Sequence, residues 1–128
     1  MSQGMAFPRD LTEKERSILD FILSHEWEGV EQVRAMLRDT RATGTCTCPC
    51  GSIALSVRPP NGKLVSRSPV PAEAVGYVEG VLITVILFVD EESAYLEIVW
   101  YDELPPRLPN VDELQTVEYR DGQLINFD

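Results

Sequence analysis

The fold of this chain is decided by its most apolar segment, the nine residues VLITVILFV at Val81–Val89. A helix that crosses a bilayer needs roughly 18 or more apolar residues, so this segment is too short to form a transmembrane helix. Nine residues suit a β-strand instead. Because apolar residues occupy nearly every position, the segment predicts a central strand that is buried on both faces.

The neighbouring segments predict strands that pair with this one. Residues 74–79 precede it, with Gly80 at the connection, and the polar turn Asp90–Ser93 follows it. Residues 94–101 then alternate, with Leu96, Ile98 and Trp100 on one side and Tyr95, Glu97, Val99 and Tyr101 on the other. Such alternation is typical of a strand with one buried face and one outward face.

Further strands are predicted towards both ends of the chain. They are residues 52–58, a returning strand that starts at Leu64 and Val65 after the turn PPNG (59–62), and a hairpin of residues 117–119 and 124–127 around Asp121 and Gly122. Pro and Gly at these connections are typical of tight turns. The segment LPPRLP at 104–109 predicts irregular backbone, because its three prolines lack an N–H donor and have a fixed φ.

Two helices are predicted before the strands. Thr12 and Glu15 have the spacing of a capping box, and apolar residues recur at helical spacing through residues 12–24. A second helix is predicted from Gly29 to about Arg38, with Trp27 packed in the connection between the two helices.

The order of these elements predicts an α+β domain over residues 11–128, after a flexible tail over residues 1–10. We expect the two N-terminal helices to pack on one face of a mostly antiparallel sheet of four to six strands. The chain contains no Gly-rich loop between a strand and a helix, which argues against a nucleotide-binding fold.

Charge is distributed unevenly along the 128 residues, whose net charge is −10. Residues 1–64 contain eight acids and eight bases, whereas residues 65–128 contain 13 acids and only three bases. This acidic half disfavours binding to nucleic acid or to an anionic membrane surface, and it attracts a basic protein partner. The N-terminus lacks the basic and apolar regions of a signal peptide, which favours the cytoplasm.

All three cysteines lie within five residues, at Cys46, Cys48 and Cys50. Three thiolates could bind Zn²⁺ or Cu(I). The fourth ligand of a zinc site would be His25, the only histidine, or else an acid or water. Alternate residues of a flat strand are roughly 6.5 Å apart, so the backbone would have to bend at Pro49 to bring the thiolates together. The alternatives are thiol chemistry or a structural turn before a strand. His25 could likewise cap the first helix rather than bind a metal.

Several segments of the first half carry a resemblance, namely Phe21–Leu23, Glu28–Glu31, Val33–Leu37, the cysteine turn and Ile53–Leu55. Together they resemble a group of small acidic bacterial proteins that contain a Cys-x-Cys-x-Cys turn and have no assigned activity. The resemblance implies a compact cytoplasmic α+β domain. The immunity proteins of bacterial toxin systems are similar to this chain in size, charge and α+β build.

The leading functional hypothesis is a non-enzymatic protein-binding module, such as an immunity-type inhibitor that covers a basic partner. The chain shows no signature of a catalytic serine, zinc protease or carboxylate pair, and no cofactor is expected. The predicted partner-binding residues are Tyr95, Glu97, Tyr101, Asp102 and Glu103. The alternative is a small zinc-binding or thiol-dependent protein that uses Cys46, Cys48, Cys50 and His25. A homodimer formed through the sheet is a third hypothesis.

Overall fold

The computed structural model describes residues 7–25, 29–45, 50–60, 62, 70–102, 107–120 and 123–126. Within these ranges, two α-helices precede a series of β-strands. The elements are α1 (Glu13–Leu23), α2 (Val30–Met36), β1 (Ala42–Thr45), β2 (Ile53–Leu55), β3 (Val70–Val78), β4 (Val81–Val89), β5 (Ala94–Trp100), a 3₁₀ turn (Val111–Glu113), β6 (Leu114–Arg120) and β7 (Gln123–Asn126).

The described strands form one seven-stranded sheet in the order β1-β2-β5-β4-β3-β6-β7. Every neighbouring pair is antiparallel. The predicted α+β class and antiparallel sheet are confirmed, and β4 is the central strand. The sheet has one strand more than the upper end of the predicted range. The short strand β1 has the sequence ATGT, which lacks the apolar alternation that would reveal a strand.

The central strand β4 is fully buried on one face only. On that face the buried side chains are Ile83, Val85, Leu87 and Val89, which form the core with Ile18, Leu19, Ile22, Val33 and Met36 of the two helices. On the other face, Leu82 is 37% exposed and Ile86 is partly exposed. The prediction of burial on both faces is therefore wrong, because α1 and α2 both pack on the same side of the sheet.

The predicted capping box of α1 is confirmed. The Thr12 hydroxyl accepts a hydrogen bond from the Glu15 N–H at 3.2 Å, and the Glu15 carboxylate accepts one from the Thr12 N–H at 2.9 Å. The same carboxylate accepts two hydrogen bonds from the Arg9 guanidinium, at 2.8 and 2.9 Å. Arg9 also exchanges two backbone hydrogen bonds with Ala42, both 2.9 Å long. Arg9 is thus part of the folded domain rather than of the tail predicted over residues 1–10.

Helix α2 is shorter than predicted. It begins at Val30 after Gly29, whose φ of 89° is left-handed and therefore favours glycine, and it ends at Met36. Several other predictions fall outside the described residues. These are the packing of Trp27, the returning strand at Leu64 and Val65, the outer part of the predicted tail (1–6), and residues 104–106 of the proline-rich segment.

Gly76 on β3 lies against the backbone of the 3₁₀ turn. A Cβ atom at this position would overlap the carbonyl oxygen of Glu113, whereas a Cβ at Gly44 would have nothing within 4 Å. We expect Gly76→Ala to lower the free energy of unfolding by about 1–3 kcal/mol, as overpacking does, because backbone atoms must shift. Gly44→Ala is the matched control in urea unfolding and should change stability by less than about 1 kcal/mol. Equal stability of the two variants would contradict the close approach.

Candidate functional site

The face of the sheet opposite the helices, here called the outer face, is formed by alternate residues of β3, β4 and β5 and by the residue after β5. Its members are Glu73, Val75, Tyr77, Leu82, Thr84, Ile86, Phe88, Tyr95, Glu97, Val99 and Tyr101. An antiparallel sheet with one solvated face usually carries polar residues on that face. Most members of this face are apolar or aromatic instead, and both described α-helices lie on the other side.

Strand pairing places two carboxylates on either side of an apolar centre. Ile86 is paired with Glu97 on β5 and with Glu73 on β3. Because adjacent strands lie about 4.8 Å apart, these two acidic positions are separated by about 10 Å across Ile86. Apart from tyrosines, the described side chains of the cross-strand rows on either side include one polar residue, Thr84. They consist of Tyr95 with Phe88, of Val99 with Thr84 and Val75, and of Leu82 with Tyr77.

Two exposed tyrosines flank Leu82 at one end of the outer face. Tyr77 is 63% exposed and Tyr101 is 59% exposed. The phenol oxygen of Tyr101 accepts a hydrogen bond from the Thr84 hydroxyl at 3.2 Å, which places the tyrosine side chain on this face. The backbone N–H of Tyr101 donates to the Leu82 carbonyl at 3.1 Å. Exposed aromatic side chains of this kind are enriched in protein interfaces.

The three central strands and their turns are strongly acidic. Residues 70–102 contain seven acids and no Lys or Arg. At the turn between β4 and β5, the backbone N–H groups of Glu92 and Ser93 donate to the Asp90 carboxylate. These hydrogen bonds lower the pKa of Asp90 and so favour its negatively charged form. Since residues 1–64 hold equal numbers of acids and bases, the net negative charge of the chain comes from residues 65–128, which include the strands that form the outer face.

The structure brings together three of the five residues predicted to bind a partner. Tyr95, Glu97 and Tyr101 all lie on the outer face, and the exposed Asp102 follows Tyr101 directly. Glu103 lies outside the described residues.

Sequence reasoning missed Glu73, Tyr77 and Ile86. The alternation Glu73, Val75, Tyr77 carried a signal for an outward face, but the uniformly apolar β4 hid Ile86, because apolarity alone does not show which side the helices cover.

The described part of the cysteine turn is attached to β2 and β5. The Cys50 side chain is half-buried, and its thiol donates to the Ser52 hydroxyl at 3.3 Å. The Trp100 indole N–H donates to the Cys50 carbonyl at 2.7 Å. The Ser52 hydroxyl in turn accepts a hydrogen bond from the Ile98 N–H at 2.8 Å. These contacts give Cys50 and Trp100 a structural role at this edge of the domain.

His25 is engaged at the end of α1. Its Nδ1 lies 2.7 Å from the Phe21 carbonyl oxygen, so this nitrogen carries the proton and donates, and its ring packs on Phe21 with 4.8 Å between centroids. Among the described residues, no group of three or more His, Cys, Asp or Glu is arranged to hold a metal ion. Cys46 and Cys48 of the predicted zinc site lie outside those residues.

An open cleft with a cavity volume of about 680 Å³ lies between α1 and α2. Its charged lining consists of Arg16, Arg34 and Arg38 with Asp20, Glu31 and Asp39. Three cations and three anions leave this cleft without a net charge, and Arg34 is already committed, since its Nε donates to the Leu23 carbonyl at 2.6 Å. The cleft therefore gives no basis for selecting one charged ligand.

Comparison of the chain with protein-family models, with curated proteins and with solved structures found no match. None of the helices in the described ranges has the length and apolar composition needed to cross a bilayer.

Proposed function

We propose that this protein is a non-enzymatic binding module whose outer face covers a basic surface of another protein, in the manner of an immunity-type inhibitor. The observation that carries this proposal is the composition of the outer face, which combines an apolar centre, two exposed tyrosines and two central acidic positions. A contiguous apolar patch with polar residues among it is typical of a protein interface. Acidic surroundings select partners of opposite charge and accelerate their approach.

The environment of Glu97 supports a basic partner. Glu97 is half-buried in the central row, and it forms no hydrogen bond or ion pair with any described residue. Covering this carboxylate with an apolar surface would remove its hydration without compensation, which is unfavourable. A Lys or Arg of the partner would supply the opposite charge that residues 70–102 do not contain.

A homodimer through the same face is less favourable. Two outer faces packed against each other would bring the carboxylates of Glu73 and Glu97 in one copy near those in the other, and like charges across an interface cost free energy. The basic residues of the chain lie outside β3, β4 and β5, so a second copy packed face to face provides no compensating cation there.

Reversing the charge of the outer face should slow association with a basic partner. The partner is first captured with the protein as bait and identified, and association rates are then measured at several salt concentrations. We expect Glu97→Lys and Asp102→Lys each to reduce the association rate about tenfold or more at low salt, and to flatten its decrease with rising salt. The control is Glu31→Lys on α2, which makes the same change in net charge on the helical side. An association rate that is unchanged by both reversals and independent of salt would contradict the proposal.

The alternative function, metal or thiol chemistry at Cys46, Cys48 and Cys50, has weaker support. Cys46 and Cys48 lie outside the described residues, so no described geometry brings the proposed ligands together. His25 donates from Nδ1 to the Phe21 carbonyl, which leaves its Nε2 as the nitrogen that would bind a metal. A stoichiometric metal ion in protein purified without added zinc would favour this alternative over the binding module.

A further inference from the structure

We infer that the outer face binds one amphipathic α-helix of its partner, with Lys or Arg on both flanks of the apolar stripe of that helix. This inference rests on the proposed function and specifies the element that docks. The outer face belongs to β3, β4 and β5, and each of these strands is paired on both sides. A partner strand therefore has no free backbone edge to join here, and docking must occur through side chains.

The width of the central row fits a helix. An α-helix with its side chains is about 10–12 Å across. A helix lying along β4 over Ile86 would have its two flanks above β3 and β5. Those strands carry Glu73 and Glu97, which lie about 10 Å apart by strand spacing. Basic residues on the two flanks of one helix can thus reach both acidic positions while its apolar stripe covers Ile86.

The apolar track is the outward side of β4 from Leu82 to Phe88, and its length determines the length of this helix. Leu82 and Phe88 are six residues apart on β4, which corresponds to about 20 Å of strand. At about 1.5 Å per residue, a helix of roughly 14 residues covers the track. Four turns provide apolar residues at i, i+4, i+7 and i+11, which form a continuous stripe on one side.

The polar atoms of the outer face are compatible with being covered. Thr84 is only 5% exposed, and its hydroxyl already donates to the Tyr101 phenol at 3.2 Å. A docked helix therefore leaves the Thr84 donor satisfied. Among the described carboxylates, Glu97 would need a new partner once it is covered. A Lys or Arg on the flank of the docked helix would provide this partner. The result would be a three-layer arrangement, with α1 and α2 on one face of the sheet and the partner helix on the other.

Synthetic peptides test the inference on the intact protein. The probe is a 14-residue peptide with Leu at the stripe positions and Lys at the flanking positions. One comparison peptide has two central residues replaced by Pro, which breaks the helix at equal charge, and another has Glu in place of each Lys. Binding is followed by circular dichroism and by chemical-shift changes in labelled protein. We expect the Leu/Lys peptide to gain helicity, to shift the methyl signals of Ile86, Val75 and Val99, and to bind at least tenfold more tightly than either comparison peptide.

Isosteric variants assign the charge requirement. The double variant Glu73→Gln/Glu97→Gln should weaken binding of the Leu/Lys peptide at least tenfold, whereas Glu13→Gln/Glu31→Gln on the helical layer should leave it unchanged. Unfolding curves of both variants establish that they are folded. Equal weakening by the two double variants would overturn the inference.

The remaining outcomes separate the inference from the proposed function. Equal binding of the Pro-containing peptide, shifts confined to α1 and α2, or no binding of any peptide would each overturn the helical partner. If Glu97→Lys still slows association of the captured partner in those cases, the outer face is an interface for a basic element of another shape. If Glu97→Lys has no effect either, the proposed function fails as well.

Discussion

We expect Leu87→Ala to lower the free energy of unfolding by about 2–5 kcal/mol, and Ile86→Ala, one residue earlier on the same strand, to lower it by about 1–2 kcal/mol. Leu87 is fully buried in the core, so its truncation leaves an enclosed cavity. Ile86 lies on the outer face and is partly exposed, so solvent fills the space that its side chain leaves. Urea unfolding monitored by tryptophan fluorescence at pH 7 measures both values.

The two substitutions should also differ in their effect on partner binding. Ile86→Ala removes the apolar centre of the outer face and should weaken binding. The fraction of Leu87→Ala protein that remains folded should bind the partner with unchanged affinity. Equal destabilisation by the two substitutions would mean that the assignment of faces in β4 is wrong.

Glu15→Gln is expected to cost about 3 kcal/mol at pH 7, the low end of the range for breaking a buried ion pair. The Glu15 side chain is 8% exposed and that of Arg9 is 15% exposed, so the guanidinium would remain largely desolvated without its counter-charge. Gln keeps a side-chain oxygen that can accept the Thr12 N–H of the capping box, so the loss of stability reports mainly on the ion pair. Glu13→Gln in the same turn is the exposed control and should change stability by less than about 0.5 kcal/mol.

This ion pair also has a defined dependence on pH. Burial alone would raise the pKa of Glu15, but hydrogen bonds from Arg9 and Thr12 and the charge of Arg9 lower it below its usual value. Its contribution is therefore complete above the unfolded-state pKa, near 4.5, and is lost as the pH falls through the lower folded-state pKa.

The stability difference between the wild type and Glu15→Gln should shrink as the pH is lowered from 5 towards 2. Glu113, whose pKa is held at about 2 by hydrogen bonds from Arg107, titrates in both proteins and cancels in the difference. A difference that stays constant over this range would show that the carboxylate charge is not the source of the stabilisation.

Local sequence patterns predict much of this fold, because some elements depend on neighbouring residues alone. The spacing of Thr12 and Glu15 specifies the start of α1, and the apolar run Val81–Val89 specifies the central strand. In contrast, β1 is a strand because it pairs with β2 and forms a bridge with Arg9. Those contacts are long-range, so the local sequence ATGT does not predict them.

The candidate site was only partly predictable for the same reason. Alternation places Tyr95, Glu97 and Tyr101 on one side of β5, which is a local property of one strand. The row of Glu97, Ile86 and Glu73 depends on the register of β4 with both neighbours, and register is set by turns and packing across the sheet. Apolarity likewise does not reveal which face of β4 the helices cover.

The order of the strands has a consequence for biosynthesis. The two helices lie within residues 13–36. The central strands that cover their apolar sides are complete only when synthesis reaches Trp100. Synthesis of those intervening 64 residues takes on the order of 3–13 s at typical translation rates. During that interval the nascent helices emerge from the ribosome without their sheet, and Ile18, Leu19 and Ile22 remain accessible to chaperones until β4 and β5 follow.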